Sequence, residues 1–410
     1  MAYIVGTALR DTLAGHAGGD VIVGGGGDDF LVSGPDADIF AFERGDGQNW
    51  VQNFQPGTDR LQFGDGIAAG NLTFAPANVA GVPGLAIFYN PGTFESVFLA
   101  NVTGVQPGDI VFQPLPPVYL GRTAVDYNGD KLADLLWRNN DGSIAQWQMN
   151  GPNILAGPIL GNPGATWSVV GTGDFDANAR GDILLRNSNG AISLWQMDGA
   201  NIAAQTTIGN PGTDWTVQGV NDFDGDGRSD ILLRNIDGGV TLWQMNGAAI
   251  AAATPLPNPG TNWSLAGTGD LDGDNKADIL WRGADGSVVA WQMNGPSVVA
   301  SPTLPNPGKA WTLVGVADFN ADNRDDLLWQ HDDGTVALWQ MNGATVAAAD
   351  TVANPGPNWS VRAIGDLTGD GRADIVWRNV DGSVFEWTMN GATVTSSAPV
   401  TNPGLEWQLT

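Results

Sequence analysis

The chain is 410 residues long, sets 44 acidic residues against 17 basic ones for a net charge of −27, and contains no cysteine. The length accommodates two or three domains. The missing thiols exclude disulfide staples and cysteine catalysis, and the charge repels nucleic acid and anionic membranes while attracting divalent cations. No apolar run is long enough for membrane insertion. The start, Met1 to Gly6, lacks the basic and apolar stretches of a cleaved leader. A secreted or cell-surface bacterial protein is expected, exported either by a route without an N-terminal signal or with its signal already removed, and the cysteine-free composition fits that setting.

Residues 1–42 form the first predicted unit, with a nine-residue period. Asp11-Thr12-Leu13, Asp20-Val21-Ile22, Asp29-Phe30-Leu31 and Asp38-Ile39-Phe40 are in register, preceded by Gly15-His16-Ala17-Gly18 and Gly24 to Gly27. At the fourth turn Ser33 and Asp36 stand where glycines are expected. The pattern resembles the Gly-Gly-x-Gly-x-Asp-x-U-x nonapeptide of RTX (haemolysin-type) parallel β-rolls, where U is a large apolar residue. The resemblance implies a short parallel β-roll in which glycine carbonyls and Asp11, Asp20, Asp29 and Asp38 hold calcium while U fills the interior. Residues 43–113 continue with short strands around Phe54–Phe63, Leu85–Tyr89 and Ser96–Leu99, resembling the β-rich segment that flanks such rolls. Residues 114–118, with Pro114, Pro116 and Pro117, form a stiff linker.

Residues 119–410 carry a longer period. An acidic motif returns every 48 residues, at Asp126, Asp174, Asp222, Asp270, Asp318 and Asp366, and Asn-Pro-Gly-x-x-Trp keeps the same step from Trp167 to Trp407. A strict period of roughly 40–50 residues is the size of one propeller blade. In the third unit Trp215–Val220 reads as strand A, Asp222–Asp230 as an acidic loop and Ile231–Arg234 as strand B. Asn235–Gly238 is a tight turn, Val240–Met245 strand C, Asn246-Gly247 a hairpin signal and Ala249–Thr254 strand D. The expected fold is therefore all-β: a six-bladed β-propeller of four-stranded blades behind the roll. Of 17 tryptophans, 16 fall at three positions of the repeat, and Leu185 and Leu233 replace Trp at the end of strand B in two units, which argues for core packing.

Asp-x-Asp-x-Asp-Gly-x-x-Asp places oxygens at positions 1, 3, 5 and 9 of a curled loop, with a carbonyl available at 7, and suits a hard cation such as Ca²⁺. The candidate ligands are Asp126, Asn128, Asp130 and Asp134 in the first loop and Asp174, Asp176, Asn178 and Asp182 in the second. They continue with Asp222, Asp224, Asp226 and Asp230, then Asp270, Asp272, Asp274 and Asp278. The last two sets are Asp318, Asn320, Asp322 and Asp326, and Asp366, Thr368, Asp370 and Asp374. An EF-hand is excluded because a strand, not a helix, follows. The second loop, with Ala177 and Ala179 where a turn favours Gly or Asn, is expected to be the weakest.

This loop, followed by Gly-x-Val-x-x-Trp-x-Met-Asn-Gly, resembles the FG-GAP/VCBS repeat of bacterial extracellular proteins and is similar to the calcium-loop blades of integrin α-subunits and some fungal propeller lectins. The resemblance implies calcium in the loops between strands A and B and a role in binding. Many relatives have seven blades, whereas this chain holds six repeats. A calcium-dependent adhesion or interaction module with an extracellular protein or glycan partner is expected, and a lectin is the sharper alternative. An enzyme is not expected. Carboxylates repeated six times do not form a once-per-chain constellation, and His16 and His331 are the only histidines. Trp407–Thr410 begin a seventh strand A. They are expected to latch the ring, with Tyr119–Val125 as partner; donating the strand to a second molecule is the alternative.

Overall fold

The computed structural model describes residues 3–5, 12–15, 20–24, 28–42, 47–63, 67, 69–89, 95–106, 108–112, 124–164, 166–404 and 406–410. Asp11, His16 and the linker 114–118 lie outside the described residues. The chain divides into two compact units, with the main boundary at Val118/Tyr119.

In the first unit the nine-residue period becomes two facing sheets. One contains β1 (Tyr3–Val5), β3 (Val21–Val23), β5 (Ile39–Phe42), β7 (Arg60–Phe63) and β11 (Ile110–Phe112). The other contains β2 (Thr12–Ala14), β4 (Phe30–Val32), β6 (Gln48–Gln52), β10 (Ser96–Ala100), β9 (Val82–Phe88) and β8 (Thr73–Val79). Strands alternate between sheets because each half-turn is one nonapeptide, and the apolar U residues Ile22, Leu31 and Phe40 meet in the interior. The parallel ladder does not stop at residue 42. β6 pairs with β4, β7 with β5, β10 with β6 and β11 with β7, all parallel, and Val51, Leu61, Val97 and Leu99 extend the same core. The segment flanking the repeat is thus more of the roll, with β8 and β9 added as an antiparallel hairpin.

The second unit is a six-bladed propeller. Blades two to six each contribute strands A to D in order, as in blade three: Trp215–Asn221, Asp230–Asn235, Val240–Asn246 and Ala249–Leu256. Strand C has two apolar faces because each blade packs on two neighbours. Val240 and Leu242 join Leu265, Ile279 and Trp291 of blade four, whereas Trp243 and Met245 join Phe175, Leu184 and Leu194 of blade two. Trp137, Trp281, Trp329 and Trp377 are fully buried at the end of strand B. Arg138, Arg186, Arg234, Arg282 and Arg378, with Gln330 in blade five, reach from strand B to backbone carbonyls in the Asn-Pro-Gly-x-x-Trp segment of the following blade.

Blade one is completed by the far end of the chain. Trp407–Leu409 lie antiparallel on its strand B (Leu135–Asn139), with Trp407 opposite Asn139 and Leu409 opposite Trp137. The Thr410 N–H donates to the Leu136 carbonyl at 2.9 Å. The loop end of the same strand comes from Ala124 and Val125. The Asp134 N–H donates to the Val125 carbonyl, and the Ala124 N–H donates to the Ile364 carbonyl of blade six. The closing strand therefore pairs with strand B; of its expected partner Tyr119–Val125, residues 119–123 lie outside the described residues. Strand A of blade one is thus shared between two distant parts of the chain, Trp407–Leu409 at its outer end and Ala124 and Val125 at its loop end.

Candidate metal centre

Each A–B loop is a tight coil held by its own carboxylates. In blade three Asp222 Oδ1 accepts the Gly225 N–H at 2.7 Å, and Asp222 Oδ2 accepts the Gly227 N–H at 2.8 Å. Asp224 Oδ1 accepts from the Asp226 N–H, and Asp226 Oδ1 from the Arg228 N–H. Positions 4 and 6 both adopt left-handed backbone. They are glycine in blade three (Gly225 φ 79°, Gly227 φ 82°) but alanine in blade two (Ala177 and Ala179, both φ 62°). Both are positions where the sequence favours Gly or Asn, and the backbone shows why.

Position 9 has a different environment. Asp134, Asp182, Asp230, Asp278, Asp326 and Asp374 are all buried at the start of strand B. In blade three Asp230 Oδ1 accepts the Met245 N–H from strand C at 2.9 Å, and Oδ2 accepts the Phe223 N–H at 3.2 Å. The strand C bond recurs in all six blades, to Met149, Met197, Met245, Met293, Met341 and Met389. Position 9 thus ties loop, strand B and strand C together besides facing the loop. Burial raises Asp182, Asp230, Asp278 and Asp326 to about 7, and Asp134 and Asp374 to about 6.

Carboxylate oxygens converge within 4.8 Å in three blades: Asp174, Asp176 and Asp182; Asp222, Asp224 and Asp226; and Asp270, Asp272 and Asp274. The other three loops carry Asn128, Asn320 or Thr368 at position 3, so fewer acids meet there. Blade two, the expected weak copy, nevertheless gathers three carboxylates, and its handicaps are Asn178 at position 5 and its two alanines. Cation binding fits these loops on a further observation. In blade four the buried Asp272 Oδ1 and Asp278 Oδ2 have no hydrogen-bond partner, and burial, reinforced by the neighbouring Asp274 and Asp270 carboxylates, raises the Asp272 carboxyl. An oxygen-only donor set with unsatisfied buried acceptors suits a hard divalent ion.

Loops of adjacent blades are locked together. The N–H of position 8 donates to the position 1 carbonyl of the preceding blade at all six junctions, from Gly181 to Asp126 through to Ala133 to Asp366. The glycine after strand C does the same to the position 2 carbonyl, from Gly199 to Tyr127 through to Gly151 to Leu367. The Asn-Gly hairpin signal therefore also marks a blade contact. Basic residues at position 7 were not flagged in the sequence. Arg228, Lys276, Arg324 and Arg372 pair with position 5 of their own loop, and Arg180 turns to Asp198 because its position 5 is Asn178.

In the roll, Asp20, Asp29 and Asp38 are buried at the strand starts. The Asp38 carboxylate accepts from the Asp20 N–H at 2.8 Å and the Gly34 N–H at 2.6 Å. Asp59 and Asp109 continue this ladder. Asp59 Oδ1 accepts from the Asp38 N–H, and Asp109 Oδ1 from the Gly57 N–H. Their sequence signal was Gly57-Thr58-Asp59-Arg60-Leu61 and Gly108-Asp109-Ile110, the tail of the nonapeptide without its glycine run.

A model of FG-GAP-like repeats matches residues 222–281, 270–329 and 318–377, and the RTX calcium-binding nonapeptide repeat matches residues 5–40. The chain carries FG-GAP-like and RTX repeats. The FG-GAP match falls on blades three to six. No curated protein matches the chain. Among solved structures, a chain in "Crystal Structure of Mitotic Checkpoint Complex" is similar at 12% identity and a TM-score of 0.42, covering 70% of this chain and 81% of that one. Among the described residues no helix is long and apolar enough to cross a membrane.

Proposed function

We propose that this chain is a secreted, calcium-stabilised interaction module that binds a repetitive extracellular protein or glycan and does not turn it over. The observation that supports it most is the sixfold recurrence of an all-oxygen acidic loop, with buried carboxylate oxygens left unsatisfied in blade four. The loops share one face of the ring, and equivalent blades favour a multivalent partner through effective concentration. A carbohydrate ligand is the second reading. It is favoured by an open cavity of about 400 Å³ between blades one and two, where the half-buried Trp167 meets Asn162, Ser193, Gln205 and Thr207. An aromatic face beside amide and hydroxyl groups suits a sugar ring.

A glycan array probed with calcium and then with chelator separates the readings. Calcium-dependent retention of one glycan class, lost in Trp167→Ala, would favour the lectin. Silence on the array, with calcium-dependent capture of a purified extracellular protein, would favour the protein-binding module. Depolymerisation of a polysaccharide by the chain would overturn both.

A further inference from the structure

We propose that Glu386, on strand C of blade six, supplies the carboxylate that the sixth acidic loop lacks at position 3, so that this calcium site is built from loop and strand together. The proposal rests on the calcium reading of the loops. Three neighbouring positions depart from the pattern in this one blade. Position 3 is Thr368, where blades two, three and four have Asp176, Asp224 and Asp272. Thr388 stands where the other five blades have Gln148, Gln196, Gln244, Gln292 and Gln340. Glu386 stands where blades two to five have Leu194, Leu242, Ala290 and Leu338.

The departures compensate in space. In blades two, three and four the strand C glutamine donates its Nε2–H to the position 3 carboxylate, at 3.1, 2.7 and 3.2 Å. That amide nitrogen sits against the Asn-Gly glycine of the next blade, as Gln196 does at Gly247 and Gln244 at Gly295. At the junction of blades six and one, the corresponding Gly151 faces the Glu386 carboxylate and the Thr368 methyl group. The carboxylate therefore occupies the place beside position 3 that the glutamine amide fills elsewhere.

Reach to position 9 is shown by the equivalent residue of blade one, Gln146, whose Nε2 lies 3.1 Å from Asp134 Oδ2. Glu386 is buried, its Oε1 accepts from the Thr388 hydroxyl at 3.3 Å, and its Oε2 has no hydrogen-bond partner. A buried carboxylate with a free oxygen beside a second one, Asp374, calls for a counter-ion, and Thr368 donates its hydroxyl to Asp374 without supplying charge.

The test is calcium titration of the full chain against a chromophoric chelator, reading ion count and affinity. Glu386→Gln and Glu386→Leu are expected to bind one ion fewer, or to hold one ion at least about tenfold more weakly. Thr368→Asp combined with Glu386→Leu, which rebuilds the residues of blades two and three, should restore it. Asp222→Ala is the control for the loops themselves and should lose one ion. Full count and unchanged affinities in both Glu386 variants, with Asp222→Ala losing its ion, would overturn the proposal alone. No loss in Asp222→Ala would overturn the calcium reading with it. Should Glu386→Leu fail to fold, Glu386→Gln, which keeps the shape, decides the matter.

Discussion

Within one loop, similar aspartates do unlike work. Asp230 spends both oxygens on backbone N–H groups inside the blade, whereas Asp226 sits at the exposed lip beside Arg228. Asp230→Asn would turn an amide donor toward one of those N–H groups, so it should cost roughly 1–3 kcal/mol even in excess chelator. Asp226→Asn should leave chelator stability unchanged and weaken only calcium binding. Urea unfolding with and without the ion checks both; equal losses in chelator would merge the two roles. Ala177 and Ala179 hold left-handed backbone at φ 62°. Replacing either with glycine should raise calcium-free stability by about 1 kcal/mol, because a Cβ there costs about 1–2 kcal/mol. Asp226→Ala should lower calcium affinity more than Asn178→Ala, by titration calorimetry, since the second loop starts with one charge fewer and two strained residues.

Among the elements, the blade was legible because its punctuation is chemical. Asn246-Gly247 and Asn235 to Gly238 bracket short apolar runs, and strands C and D start and stop where those turns require. The bulge in strand A was not. The ladder shifts between Val217 and Gly219, and the one signal, the glycine inside strand A, was not used. The staples from Arg234 and Arg282 were hidden for a different reason: an arginine ending an apolar strand reads as solvated until the next blade covers it. Arg234 and Arg282 also lie over Trp281 and Trp329 at 5.3 and 5.2 Å. The acidic loops were legible as a recurring pattern of oxygen-bearing residues, but the second duty of position 9 needs strand C alongside and so was invisible. The seam was half legible: Trp407 keeps the period, yet its partner strand depends on which residues take the outer register. Deleting residues 407–410 removes three ladder positions and the Arg378 contact with the Trp407 carbonyl. It should lower the melting temperature of a monomer without changing its mass in solution. Conversion of an oligomer to monomers would show instead that the strand is donated between molecules.

For the whole molecule, charge and calcium are coupled. Six divalent ions would offset twelve of the 27 excess negative charges, and ligand bound only to the folded state adds to its stability. Calcium should therefore raise the melting temperature strongly; an unchanged value in excess chelator would sink the metal reading. Acidity should act in the opposite sense on the calcium-free chain. The position 9 carboxyls titrate at about 6 to 7 when folded but have an ordinary value of 3.8. Between those values the folded state holds more protons, so stability falls as pH rises from about 4 through 7 and returns on acidification. Melting in chelator should thus be higher at pH 5 than at pH 7.5, with the order reversed in calcium, which favours the ionised form. The shared strand of blade one bears on how the ring forms. Strand A of blade two meets residues close by in the chain, Trp167 opposite Asn187, whereas Leu136 must wait for Thr410, 274 residues away. Closing the longer loop costs roughly 2 kcal/mol more in chain entropy. Five blades can nucleate from local contacts while the seam forms last, so refolding should show a fast phase followed by a slow one. Slowing in Leu409→Ala should be confined to the slow phase.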